Sequence, residues 1–419
     1  MQSQFFRMLF SIPIHSSYLS TCYTEIPTLL PRMNLLYRIK FSPKTLQRLS
    51  FVTFMLAAIG IAMQHYLHHT FNNFKVFEGA FRHLVALKNL YSYYPGEYED
   101  QFLYAPPAAI WLGFFSIFKT ALSLILWNLL NAMSLWYIIY QLPKLDLQTK
   151  NKIAFFAFVE LTTSLHNVQS NPVLTAMILL SFVLLEYEQI WKSHFVTSLA
   201  FFTKGISGAG VFLLLFYKPL IKNMVTFIIT FLIVALSPAW FVGIKEIPRL
   251  YTEWFQCLRG DHVVNDGVSV VGLIHQNVYA GIDSYIIQLS GLGIFLGVLF
   301  YIKWKKMNTY GWRLFVLSYI LIWLIIFNHA AESSGYVFAV TGVAIWLFNR
   351  NLDRYDKILL WLVFLFTILA PTDLYPVSFR HFLVNHSLKA LPVVLVWIKM
   401  HADLWNPAAP YDLKYALNR

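Results

Sequence analysis

Apolar runs recur along almost the whole chain, broken by short polar stretches. They fall at 49–66, 102–118, 120–140, 151–166, 172–186, 195–216, 224–242, 285–303, 312–327, 335–348, 358–370 and 382–398. A helix crossing the hydrocarbon of a bilayer needs about twenty apolar residues, so the pattern predicts about twelve spans. Barrel strands would show short alternating segments, and none are visible. Helices close their own backbone hydrogen bonds inside lipid, so the expected fold class is an all-α polytopic transmembrane bundle. One stretch departs from the pattern. Between the first two runs, Phe71, Phe74, Phe77, Phe81 and Leu84 recur at three- and four-residue steps. That spacing predicts an amphipathic helix over 72–88 at the membrane face. Pro95-Gly96 then breaks the chain, and Glu97, Glu99 and Asp100 crowd together before Tyr104.

Composition strengthens this picture. Only 12% of the 419 residues are charged, where a soluble domain carries about 25%. The net charge of +12 is spread over loops and tails, as topology determinants are, which argues against a nucleic-acid partner. Lys44 and Arg48 ahead of the first span place residues 1–48 in the cytoplasm as a leader. Met33 opens a compact basic segment, so 1–32 is expected to be a mis-called extension. The transmembrane domain is expected over 49–400, with external loops 67–102 and 244–284, followed by a cytoplasmic tail over 401–419. One feature runs against the charge rule: the twelve-span arrangement puts Lys144, Lys150 and Lys152 outside. The two cysteines, Cys22 and Cys257, form no framework.

Four polar features share the external face in this arrangement. They are the opening loop, Asn328 to Tyr336 with His329 and Glu332, Pro371 to His381 with Asp373 and Arg380, and Arg259 to Asp266. Carboxylates and histidines on one face suit general acid–base chemistry. Taken singly, each also fits a solvated loop charge. No HExxH or similar tight spacing appears, so no metal is expected. Lys204 lies inside the 195–216 run, where an amine costs about 2.5–3.5 kcal/mol unless paired or wetted. It either meets an anionic phosphate or pairs with Glu160 or Glu186. His166 to Asn171 is dense in amides. Ser170 or Asn171 before Pro172 suits a helix cap, which leaves Asn167 and Gln169 unexplained. Tyr91, Tyr93, Tyr94 and Tyr98 fit interface anchoring, or stacking on sugar rings.

Several of these motifs, taken in order, resemble glycosyltransferase family 87, whose members include polyprenol-phosphate-mannose-dependent mannosyltransferases of the GT-C fold. Asn73 to Phe77, Leu90-Tyr91 and Tyr104-Ala105-Pro106-Pro107 resemble its first external loop. Leu126 to Asn131 resembles its third span. Asn167 to Asn171 and Lys204 resemble its Gln-x-Asn and intramembrane lysine positions, and His329 to Glu332 its late histidine region. Pro371-Thr372-Asp373 and Leu388 to Pro392 look like the tail of a bacterial branch.

The resemblance implies an inverting, GT-C-type hexosyltransferase. It would carry a hexose, mannose in the first instance, from a polyprenyl-phosphate donor to a cell-envelope glycan or glycolipid. The site would face outward from a multi-pass protein of the bacterial inner membrane. The lipid-linked sugar serves as co-substrate, and no cofactor is implied. Membrane lipid, donor and acceptor are the expected partners. A loop carboxylate would take the acceptor proton, and Arg82, Lys204 or Arg380 would steady the leaving phosphate. The family's base aspartate aligns with Asn73, and an amide cannot accept the proton. Glu78, Glu97, Glu99 and Asp100 are the possible replacements, and Asp100 is favoured because it stands closest to Tyr104 at the membrane boundary. The catalytic set is therefore Asp100, Glu78, Glu99 and His329; the substrate-binding set is Arg82, Tyr104, Gln169, Asn171, Lys204, Glu332 and Arg380. Loss of the usual aspartate also admits a non-catalytic transporter or flippase of lipid-linked sugar, and the polar loops admit a structural membrane subunit.

Overall fold

The computed structural model describes residues 41–260, 267–370 and 372–405. The expectations for the leader up to residue 40 with Met33 and Cys22, for Asp261 to Asp266, for Pro371 and for the tail beyond 405 lie outside the described residues. Every regular element among the described residues is helical. Four helices are long and apolar enough to cross a membrane: Pro43–His68, Thr120–Gln141, Leu220–Val242 and Ser284–Trp304. Shorter apolar helices complete the bundle, among them Asn171–Glu186, Tyr310–Ile326 and Ser333–Phe348.

Side-chain contacts define two ends of the bundle. At one end the Tyr140 hydroxyl meets Ser50 at 2.8 Å, and Asn151 donates to the Pro43 carbonyl at 2.9 Å. Tyr310 bonds the Pro143 carbonyl there, and Arg313 forks onto Glu186. Lys44, Arg48, Lys144, Lys150 and Lys152 all gather at this end, so the positive-inside rule assigns it to the cytoplasm. At the opposite end the His65 and His166 rings stand 6.0 Å apart, and Asn73 donates to the Asn167 carbonyl at 2.9 Å.

Three apolar runs fold differently from expectation. The run 102–118 does not cross. Pro106 and Pro107 start a helix that ends at Gly113, and a 3-10 turn over Phe114–Ile117 follows. Both ends stay at the same face: Phe115, near the end of the segment, still packs on Phe74 of the interfacial helix at 6.5 Å. Gly113 lies flat on Phe81 of the interfacial helix, where an added Cβ would come within 2.2 Å of the Phe81 Cβ and 2.3 Å of its ring. The Ser123 hydroxyl donates to the Phe115 carbonyl at 2.5 Å, and Phe115 packs edge-on against Trp127 at 5.3 Å. Thr120–Gln141 therefore begins at the outer end and runs inward. This removes the conflict over Lys144, Lys150 and Lys152, which join the leader charges on the inner side.

The run 195–216 is a hairpin. Ile190–Thr203 climbs as an α-helix, Lys204 turns extended with φ −146° and ψ 107°, and Gly205–Phe216 returns as a 3-10 helix. Lys204 thus occupies an apex at the outer end, where a mid-span position was expected. The third difference is 382–398, which divides into Val377–Asn385 and Leu391–Leu404 around Lys389. With one run lost and one doubled, the alternation of the later helices keeps its expected sense.

The interfacial helix forms over Asn72–Val85, as the periodicity predicts. Phe74, Phe77 and Leu84 are buried, and Phe74 and Phe77 pack with the fully buried Trp127 at 6.4 and 5.2 Å. This aromatic layer fixes the opening loop to the bundle.

Candidate active site

The site is built around the hairpin apex. The Ala105 N–H donates to the Phe202 carbonyl at 3.2 Å, laying the segment before Pro106 beside the end of the rising helix. Lys204 leaves that apex and donates from Nζ to Asn171 Oδ1 at 3.1 Å. Asn171 Nδ2 donates to Ser334 Oγ at 3.3 Å, and Ser334 Oγ donates to Glu332 Oε2 at 3.0 Å. Four side chains from three separate segments therefore form one relay from an amine to a carboxylate. Asn171 and Ser334 are buried, Lys204 is half-buried and Glu332 is exposed.

Tyr104 joins the relay electrostatically. Desolvation pushes its phenol up to about 12, the adjacent Ser170 hydroxyl opposes this, and the negative charges of Glu332 and Asp100 add to it. The phenol therefore keeps its proton at neutral pH and can donate a hydrogen bond. Asp100 is exposed, and one carboxylate oxygen accepts the Gln101 N–H at 2.8 Å.

Neither carboxylate expected to pair with Lys204 does so. Glu160 is held by Lys389, with Nζ 2.9 Å from Oε1. Glu186 takes Arg313 at 2.6 and 2.9 Å and the Tyr217 hydroxyl at 2.5 Å. Both negative charges are committed elsewhere, and the Lys204 amine faces a neutral amide with Glu332 as the nearby charge.

Two hollows open at the outer end of the bundle, and Lys204, Asp100 and Glu332 line neither of them. A polar cleft of about 570 Å³ lies between the interfacial helix, the acidic turn and the 166–168 corner. Asn73, Lys75, Glu97, Glu99 and His166 line it. Asn72 Oδ1 accepts the Glu99 N–H at 2.9 Å, which fixes Glu99 on the wall it shares with Asn73. Glu97 is braced by Arg82 at 3.6 Å and by the buried His83 at 3.2 Å. An apolar groove of about 730 Å³ lies nearby, with Pro107, Trp111, Leu199 and Trp240 among its walls. Trp111 Nε1 donates to Thr203 Oγ1 at 3.0 Å, which ties one wall of the groove to the residue before Lys204.

The remaining expected residues are scattered around this centre. Glu78 lies one turn before Arg82; burial raises its carboxyl and Arg82 partly offsets the effect. Gln169 is half-buried at the corner, its N–H closing on the Ser164 carbonyl at 3.2 Å. His329 is held by Gln288 at 3.3 Å, and Arg380, in the helix Val377–Asn385, pairs with Asp373 just before it at 2.7 Å. Tyr91 and Tyr98 are buried, which leaves Tyr93 and Tyr94 as the more open rings of that group. Asn171 does open its helix, but its side chain is spent on the relay and Ser170 makes no side-chain cap.

Sequence reasoning missed Ser334, Asn72 and Lys389. Lys389 and Glu160 both fall inside apolar runs and carry opposite charge, which was the available signal for their pairing. Ser334 and Asn72 gave no signal in a polar loop and a helix start. Among the described residues no three His, Cys, Asp or Glu side chains gather as a metal cluster.

The model of glycosyltransferase family 87 matches residues 102–371, well over half of the chain. Asn73 and the Leu388 to Pro392 motif lie outside that span. No curated protein matches the chain. The matched residues hold the hairpin, the amide corner and the Glu332 loop, and with the apolar helices they identify a multi-pass membrane glycosyltransferase: the chain belongs to glycosyltransferase family 87.

Proposed function

We propose that the protein transfers a hexose, mannose in the first instance, from a polyprenyl-phosphate donor to a glycan or glycolipid of the cell envelope. The reaction takes place at the outer face of a bacterial inner membrane, on a GT-C-type bundle of about twelve passes. The observation that carries this reading is the Lys204 amine. It stands at the apex of a helical hairpin, hydrogen-bonded to an amide, with the buried carboxylates Glu160 and Glu186 bound to other cations. An amine so placed suits a lipid phosphate, which offers charge-assisted hydrogen bonds where the protein offers a neutral partner.

The donor's isoprenoid chain lies in the apolar groove beside Trp111, and its phosphate meets Lys204. The acceptor enters through the polar cleft. Asp100 takes the proton from the acceptor hydroxyl, whose oxygen attacks the anomeric carbon from the side opposite the phosphate. The bond between that carbon and the phosphate oxygen breaks, and the electron pair leaves with the phosphate. The configuration inverts. Lys204 stabilises the growing charge on the leaving oxygen. Tyr104 and Glu332 orient sugar hydroxyls as donor and acceptor, and Asn171 holds the amine in place. Glu97 and Glu99, with Arg82 behind Glu97, bind hydroxyls of the acceptor in the cleft.

Membranes carrying the protein, given labelled polyprenyl-phosphate mannose, should place label in a new glycan or glycolipid. The same membranes with Asp100→Asn should contain equal protein and form no product. Full product from that variant would remove Asp100 from the mechanism. Absence of product from every polyprenyl-phosphate hexose offered to the unaltered protein would remove the donor class.

A further inference from the structure

The cytoplasmic end carries a cationic patch that the transfer reaction does not use. Lys303 reaches back to the Leu215 carbonyl and lies over the Phe216 ring, with Nζ 6.0 Å from its centroid. That contact brings the end of Ser284–Trp304, with Lys303, Lys305 and Lys306, against the start of Leu220–Leu236, with Lys218 just before it and Lys222 in its first turn. All five lysines are exposed. None forms an ion pair among the described residues. Glu186, linked to this corner through Tyr217, already receives Arg313 and the Tyr217 hydroxyl.

The same two helix ends carry open apolar side chains. Ile221 is 79% exposed, Phe300 72% and Trp304 65%. Lys305 lies 4.9 Å over the Trp304 ring, which holds its charge at the level expected of a headgroup. Charge and exposed hydrocarbon side by side, at the ends of two helices each long and apolar enough to cross a membrane, match the two parts of a phospholipid. Topology alone would need cations at this end, but it would not need five of them on one corner without a counter-charge.

We propose that this corner binds an anionic phospholipid of the inner leaflet, with a headgroup carrying more than one negative charge. The site is separate from the outer apex, so its failure would leave the transfer reading untouched. Each lysine near the headgroup is worth roughly a five-fold factor in affinity. The test uses the full-length protein in nanodiscs of phosphatidylcholine, with and without cardiolipin. The expected results are a higher melting temperature with cardiolipin and bound cardiolipin surviving in native mass spectra. K305Q/K306Q and K218Q/K222Q should each lose most of that shift while melting normally in phosphatidylcholine alone. R354Q/K357Q, exposed charges of the same end outside this corner, should retain it. No cardiolipin shift in the unaltered protein would overturn the proposal, whatever the variants do. So would an equal shift in all variants, which would mean diffuse attraction to a basic face.

Discussion

Lys389→Met should destabilise the protein severely, and a second substitution should relieve the damage. Glu160 is 0% exposed and Lys389 5%. The amine lies 2.9 and 3.0 Å from the two Glu160 oxygens. It also donates to Ser333 Oγ at 2.7 Å and the Ser333 carbonyl at 3.2 Å, and it faces the Tyr336 ring at 4.8 Å. Removing the amine strands a buried carboxylate, which costs about 3–5 kcal/mol. Glu160→Gln strands the amine instead and should cost a similar amount. The double variant K389M/E160Q buries no unpaired charge, so it should be more stable than either single variant by about 1–3 kcal/mol. It stays below the unaltered protein because Ser333 loses its donor, about 1–3 kcal/mol. Thermal melting of the detergent-purified series reads this directly. Since Ser333 adjoins Ser334 of the relay, transfer should also fall in the single variants. Single variants that melt with the unaltered protein, or a double variant less stable than both, would refute the pairing as a source of stability.

Three further outcomes are expected. Glu99→Gln should retain turnover and raise KM for the acceptor, because Glu99 lines the polar cleft and Lys204 does not; a loss of kcat as complete as that of Asp100→Asn would reverse the two roles. Ser334→Ala breaks the relay between Asn171 and Glu332. At about 1–2 kcal/mol it should lower kcat/KM roughly five- to thirty-fold with little change in melting temperature, and unchanged kinetics would remove the relay from function. In a background lacking Cys22 and Cys257, a cysteine at Lys119 should react with an impermeant thiol reagent from outside and one at Lys144 only from the cytoplasm; the opposite pattern would restore 102–118 as a span.

The sequence exposed the helical class, the interfacial helix and the identity of most of the apex residues. Hydropathy failed where apolar length and straightness part. The 102–118 run is apolar enough to span, yet the helix that Pro106-Pro107 starts keeps its far end, at Phe115, against the interfacial helix. The lysines at 144, 150 and 152 had already signalled the error, because they opposed the charge rule. In 195–216 the window average concealed a reversal at Lys204-Gly205, where a charged residue beside a glycine marks the bend. A mid-span lysine would need a counter-ion; an apex lysine at the outer end does not, which is why pairing it with Glu160 or Glu186 failed. Which buried lysine meets Glu160 depends on helix packing between residues more than two hundred positions apart, and no local pattern carries that information.

Everything proposed for the outer face depends on Lys204 binding the donor's phosphate. The direct measurement compares binding of polyprenyl phosphate and the uncharged polyprenol to the purified protein and to Lys204→Gln. The unaltered protein should prefer the phosphate, and the variant should lose about 1.5–3 kcal/mol of that preference, roughly ten- to more than a hundred-fold in Kd, while binding the alcohol as before. Equal phosphate affinity in both proteins would contradict the account.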